Sequence, residues 1–152
     1  MAQATMIFSL AVLNECNIFS SATPNVASGE KGRWAMKHVL VVDDVPEIRM
    51  VYRVLLSRSG VEVLEAGDGR EALEILKLQD VSVVVTDCQM PNMTGVELMR
   101  AAKAQYPHIP FVVVSATAKE GDLDDLMPYA VMPKPFRLPD LKEVIDRALE
   151  EA

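Results

Sequence analysis

Short apolar runs that stop on charged or small polar residues constrain this chain more than any other feature. Asp43 and Asp44 close His38-Val39-Leu40-Val41-Val42, Asp87 closes Val81-Ser82-Val83-Val84-Val85-Thr86, and Lys134 follows Ala130-Val131-Met132-Pro133. Runs of this length, rich in Val and nearly continuous in apolar residues, predict strands buried on both faces, as in a parallel sheet. Side by side, such strands bring their last residues to one edge of the sheet. Three carboxylates gathered there require a cation.

From Lys37 onward strand and helix signals alternate. Asp44 is expected to cap a first helix with Pro46 in its first turn and an end near Gly60, burying Ile48, Val51, Tyr52 and Leu55. Val61 to Leu64 predicts a second strand, and Gly69 to Leu76 a helix with Ala72, Leu73 and Leu76 inward. Thr94-Gly95-Val96-Glu97 reads as a capping box after the loop from Cys88 to Met93. Phe111 to Val114 is the expected fourth strand. A short acidic segment around Leu123 and Leu126 follows, ended by Pro128, and Ala130 to Met132 is the fifth strand, at the sheet edge because of Pro133. A last helix from about Pro139 to Leu149 would bury Leu141, Val144, Ile145 and Ala148. Five strands and five helices in alternation imply an α/β fold with helices on both faces of a parallel sheet.

Composition narrows the partners. A net charge of -7 over 152 residues, with no basic stripe, argues against direct nucleic-acid binding. Cys16 and Cys88 fit neither a metal-ligand spacing nor a disulfide framework, so a reducing, cytoplasmic setting is expected. Met6 to Leu13 is too short to span a membrane and lacks the preceding basic residues of a signal peptide. Residues 1–35, dominated by small and polar side chains, read as a flexible tail or as a start-site artefact, with translation beginning at Met36.

The segments His38-Val39-Leu40-Val41-Val42-Asp43-Asp44, Thr86-Asp87-Cys88-Gln89-Met90-Pro91-Asn92-Met93-Thr94-Gly95, Ser115-Ala116 and Lys134-Pro135-Phe136 together resemble the receiver domain of two-component response regulators. The resemblance covers Met36 to about Ala152 and leaves no room for an output domain, so a stand-alone, chemotaxis-type receiver is expected. It implies a flavodoxin-like, doubly wound sheet in the order 2-1-3-4-5. It also implies phosphoryl transfer from a sensor histidine kinase to Asp87, with Mg²⁺ held by Asp44, Asp87 and the backbone carbonyl of Gln89, and with Asp43 acting through a water. Lys134 would pair with the phosphoryl oxygens, and Ser115 would donate its hydroxyl to the new group and carry the signal toward the fourth-helix and fifth-strand surface. Catalysis would be limited to self-phosphorylation and autodephosphorylation. Many receivers place an aromatic residue three positions before the lysine; here Val131 stands there, and strand alternation would allow Tyr129 to share its face.

Three function classes follow. In the first, the chain is a phosphorylation-switched binding module, which acts on a target, passes phosphate to a histidine phosphotransfer protein or drains a kinase. In the second, it is a phosphatase of the haloacid-dehalogenase type; that chemistry wants an acid two residues after the nucleophile, where Asp43 has Val45 and Asp87 has Gln89. In the third, it is a flavodoxin-like cofactor binder, which wants a Ser, Thr and Gly-rich first loop where this chain has Asp43-Asp44.

Overall fold

The computed structural model describes residues 36–117, 123 and 125–152. Five strands, β1 (His38–Val42), β2 (Glu62–Ala66), β3 (Val83–Asp87), β4 (Phe111–Ser115) and β5 (Ala130–Pro133), form one parallel sheet in the order β2-β1-β3-β4-β5. Among the described residues there are four helices: α1 (Pro46–Leu56), α2 (Gly69–Leu78), α3 (Gly95–Gln105) and α4 (Leu138–Glu151). The expected fifth helix falls on the acidic segment, where residues 118–122 and 124 lie outside the described residues, as do residues 1–35 with their expected tail.

The unbroken apolar runs have a direct structural cause, because alternate residues of each strand feed two different cores. Leu40, Val42, Val84, Phe111 and Val113 pack with Ala72 and Leu76 of α2 and Leu98, Met99 and Ala102 of α3. Val39, Val41, Val83, Val85, Val112 and Val114 pack on the other face with Tyr52 and Leu56 of α1 and Leu141, Ile145 and Ala148 of α4. Leu40, Leu56 and Phe111 are fully buried, and burying one such side chain stabilises by about 1.5–3 kcal/mol. The predicted inward faces hold: Ala72, Leu76, Leu141, Ile145 and Ala148 are buried, and Ile48, Val51, Leu55, Leu73 and Val144 are partly so.

Helix starts follow local chemistry. Asp68 caps α2 by accepting from the amides of Arg70 and Glu71, and Thr94 and Glu97 form the predicted capping box on α3. The expected cap of α1 needs correction. Val45, not Asp44, occupies the cap position, and no side chain caps the helix. Instead Asp43 Oδ1 accepts from the Val45 amide at 2.9 Å, which turns the chain into Pro46 and leaves Asp44 exposed at the sheet edge.

A second correction concerns Tyr129. It precedes β5, so the strand's alternation does not extend to it, and it packs with the α1 and α4 core while Val131 packs with the opposite one. Its hydroxyl donates to Glu151 Oε1 at 3.1 Å, holding it on α4. Tyr129 therefore does not share the face of Val131.

Candidate functional site

The parallel register delivers the predicted carboxylates to one place. β1 and β3 are neighbours, with Val42 opposite Thr86, so Asp43-Asp44 and Asp87 leave the sheet side by side. The Asp43 amide continues the ladder onto the Ala66 carbonyl at 3.1 Å. Ligand oxygens of Asp43, Asp44 and Asp87, one from each, lie within 4.8 Å of one another. Asp43 is only 2% exposed. Burial raises its carboxyl pKa above the ordinary range, the hydrogen bond from Val45 opposes that rise, and the negative charge of Asp87 adds to it. Tyr52, buried below the same pocket, is also pushed up, first by burial and then by the charges of Asp43 and Asp87.

Lys134 arrives from the other side of β3. The Lys134 amide donates to the Ser115 carbonyl at 2.8 Å, and the Lys134-Pro135 bond is cis. From there the Lys134 ammonium donates to Asp87 Oδ2 at 2.8 Å, with side-chain exposures of 30% and 13% for the two partners. The other carboxylate oxygen, Asp87 Oδ1, accepts from the Gln89 amide at 3.0 Å. Ser115 ends β4 in a buried position, and its hydroxyl oxygen accepts from the Thr117 amide at 3.1 Å. Every site residue expected from the sequence thus falls at the C-terminal edge of β1, β3, β4 or β5, or within two residues after it.

Three further contacts were not legible in the sequence. Gln89 Nε2 donates to Thr117 Oγ1 at 3.1 Å, linking the loops after β3 and β4. Arg49 Nη1 donates to the Asp43 carbonyl at 2.6 Å. Gly95 opens α3 so close to β3 that a Cβ there would lie 2.1 Å from the Asp87 carbonyl oxygen. The small residue after the Thr94 cap was the one available signal for the last; the contact between Gln89 and Thr117 depends on β3 and β4 being neighbours, and the Arg49 contact on how the chain turns from β1 into α1.

The donor set suits a particular class of cation. One ammonium faces three carboxylates, and their ligand atoms are oxygens, which favours a small hard divalent ion such as Mg²⁺. A doubly wound parallel sheet with an acidic pocket and a lysine at its carboxyl edge defines a receiver domain, and the response regulator receiver domain family matches residues 39–146. The chain belongs to this family. It is similar to the chemotaxis protein CheY of Pseudomonas aeruginosa, 36% identical over 118 residues that make up 74% of this chain and 95% of that protein. It is equally similar, 36% over 118 residues, to a part of the sensor kinase CckA of Brucella abortus amounting to 12% of that protein and 74% of this chain. Among solved structures it resembles the Vibrio cholerae chemotaxis protein CheY4, with a TM-score of 0.70, 32% identity, and coverage of 76% of this chain and 100% of that one. The response regulator TrrA of Thermotoga maritima, solved in complex with Mg²⁺ and BeF, gives a TM-score of 0.69 at 29% identity, covering 75% of this chain and all of that one. No helix among the described residues is long and apolar enough to cross a membrane.

Proposed function

We propose that this receiver accepts a phosphoryl group on Asp87 from the phosphohistidine of a sensor kinase, in a Mg²⁺-dependent reaction, and thereby switches its contacts with other proteins. The observation that carries the reading is the Lys134 ammonium 2.8 Å from Asp87 Oδ2 inside a cluster of three carboxylates. A carboxylate is ionised at neutral pH and needs no general base, so the barrier to its attack on phosphorus is mutual repulsion of anions. Asp44, Asp87 and the Gln89 carbonyl would hold the Mg²⁺, with Asp43 acting through a water. Magnesium there would supply the positive charge that offsets this repulsion.

The chain's own residues do the rest. A carboxylate oxygen of Asp87 bonds to phosphorus while the phosphorus–nitrogen bond to the donor imidazole breaks and its electron pair leaves on nitrogen. Lys134 pairs with the phosphoryl oxygens as a compact charge. Ser115 donates its hydroxyl to the new group, and the readjustment around Thr117 shifts the population between two conformations. Beyond self-phosphorylation and autodephosphorylation no turnover is proposed, and the site of action is the cytoplasm.

The likeness to a segment of a sensor kinase favours a second reading, in which the chain relays phosphate to a histidine phosphotransfer protein. Incubation with acetyl phosphate and Mg²⁺ tests the shared step. The wild type gains the mass of one phosphoryl group and D87N does not; an unmodified wild type that nevertheless binds Mg²⁺ refutes both readings. Chasing the phosphorylated protein with a phosphotransfer domain then separates relay from direct output.

A further inference from the structure

The end of β2 and the turn that joins it to α2 contribute no residue to the acidic pocket, yet they are tied to both loops that form it. On one side Arg49 spans the gap: Nη1 donates to the Asp43 carbonyl at 2.6 Å while Nε donates to Glu65 Oε2 at 3.3 Å. Arg53 Nη1 lies 3.2 Å from the other oxygen of Glu65, so that carboxylate is held by two guanidinium groups. The side chains of Arg49 and Glu65 are 18% and 27% exposed, which shields the pair from solvent more than a surface ion pair. On the other side Asn92 Nδ2 donates to Asp68 Oδ2 at 3.1 Å, and Asp68 Oδ1 is fixed by the amides of Arg70 and Glu71. Next to it Met93 packs on Gly69 so closely that a Cβ there would meet Met93 Cγ at 2.7 Å. The turn itself is stiffened by the Gly67 amide donating to Glu71 Oε2 at 2.7 Å.

We propose that Glu65 on β2 and Asp68 in the turn after it form a positioning bracket for the metal pocket, with Arg49 of α1 setting the Asp43-Asp44 loop and Asn92 setting the loop that carries Gln89. The inference rests on the Mg²⁺-dependent reading above. Outer partners of this kind govern how well ligands are oriented, and their loss commonly weakens metal binding by about tenfold or more. Charge alone predicts the opposite sign for Arg49. Removing a cation from beside three carboxylates makes the pocket more negative and should tighten Mg²⁺ binding; losing the guanidinium's grip on the Asp43 carbonyl should loosen it. Asn92 is neutral, so its loss has no such charge effect. Its φ of +66° is one that glycine adopts freely, so N92G removes the amide without straining the backbone.

The test is Mg²⁺ titration of the wild type, R49Q and N92G by calorimetry, with amide hydrogen exchange of the same proteins free of metal. Arg49 and Asn92 are positioning residues if R49Q raises the Mg²⁺ dissociation constant by about tenfold and N92G by roughly threefold. In metal-free protein, exchange should quicken at the Val45 amide in R49Q and at the Gln89 amide in N92G. If R49Q does not fold, R49K keeps the stem and charge without the fork and should still weaken binding by about threefold. Binding as tight as wild type or tighter in the Arg49 variant, with N92G unchanged, overturns the proposal. A wild type that takes up no Mg²⁺ overturns the functional reading instead, and the exchange measurement then decides the bracket by itself.

Discussion

Lys134 and Asp87, 47 positions apart in sequence, form an ion pair of 2.8 Å across the carboxyl edge of the sheet. Lys134 enters from β5 and Asp87 from β3, with β4 between them. The pair therefore exists only when three strands are in register, and it places an ammonium directly on the proposed nucleophile.

Replacing Lys134 by Met should leave Mg²⁺ bound, because an ammonium that competes with the metal has gone. Phosphorylation by acetyl phosphate should nevertheless slow by about a hundredfold, the usual cost of removing one preorganised charge from a transition state. Calorimetric Mg²⁺ titration reads the first effect and intact-mass time courses at saturating Mg²⁺ the second, and an unchanged rate would remove Lys134 from the mechanism.

Gly95 is predicted to be intolerant of any side chain. A Cβ would sit 2.1 Å from the Asp87 carbonyl oxygen and 3.0 Å from its carbon, so either α3 or the backbone of Asp87 must move. G95A should cost about 2–3 kcal/mol in urea unfolding, in the upper range for overpacking. It should also slow phosphorylation, because the displaced backbone belongs to the proposed acceptor. G60A is the control: Gly60 has φ +67° with open space around it, so only backbone strain of about 1–2 kcal/mol is expected and phosphorylation should be unaffected.

Magnesium should stabilise the fold by mass action. At a free concentration about a hundred times its dissociation constant, the gain is about 2.7 kcal/mol if the unfolded chain does not bind. Melting curves across a Mg²⁺ series should show a rise that D87N and D44N both diminish. A melting temperature indifferent to Mg²⁺ in the wild type would contradict the assigned pocket.

Acid should weaken the helix starts. The carboxyl of Asp68 is held below its usual range, first by the Glu71 amide and then by the Asn92 side chain, and that of Glu97 is lowered by its bonds from the Thr94 amide and hydroxyl. A lowered folded-state pKa gives stability that is complete above the unfolded values of 3.8 and 4.5 and is lost as pH falls through the lower folded values. Thermal melts from neutral pH downward should therefore decline less steeply below about pH 4 in D68N/E97Q than in the wild type. Parallel declines would show that these caps contribute nothing to acid sensitivity.

The strands, their parallel sense and the gathering of Asp43, Asp44, Asp87, Ser115 and Lys134 at one edge were legible because they depend on two signals that survive in a linear sequence, whereas the order of the strands came only through the resemblance to the receiver family. One is the continuous apolar run that a doubly buried strand requires, and the other is the polar residue at which each run stops. The cap of α1 was misread because an Asp two residues ahead of a Pro is a strong local signal for a helix start. Here the preceding carboxylate, Asp43, had already taken the Val45 amide. Tyr129 was placed on the wrong face because alternation was extended past the first paired residue of β5. Arg49 and Asn92 were illegible for another reason: their partners Glu65 and Asp68 sit on β2 or just beyond it, and nothing local in sequence says that β2 flanks β1.

The strand order also divides the pocket mechanically. Asp43, Asp44 and Asp87 are rooted in β1 and β3, which have strands on both sides and whose valines are essentially closed to solvent. Lys134 hangs from β5, an outermost strand paired on one side only, with side chains half-open from Ala130 to Met132 and exposed at Pro133. The proposed acceptor would work as an anvil and the amine as a hammer on a hinge. On the proposed function, new charge on Asp87 should displace the less restrained wall, so that the message leaves through the β4 and β5 margin while the carboxylates stay where they were cast.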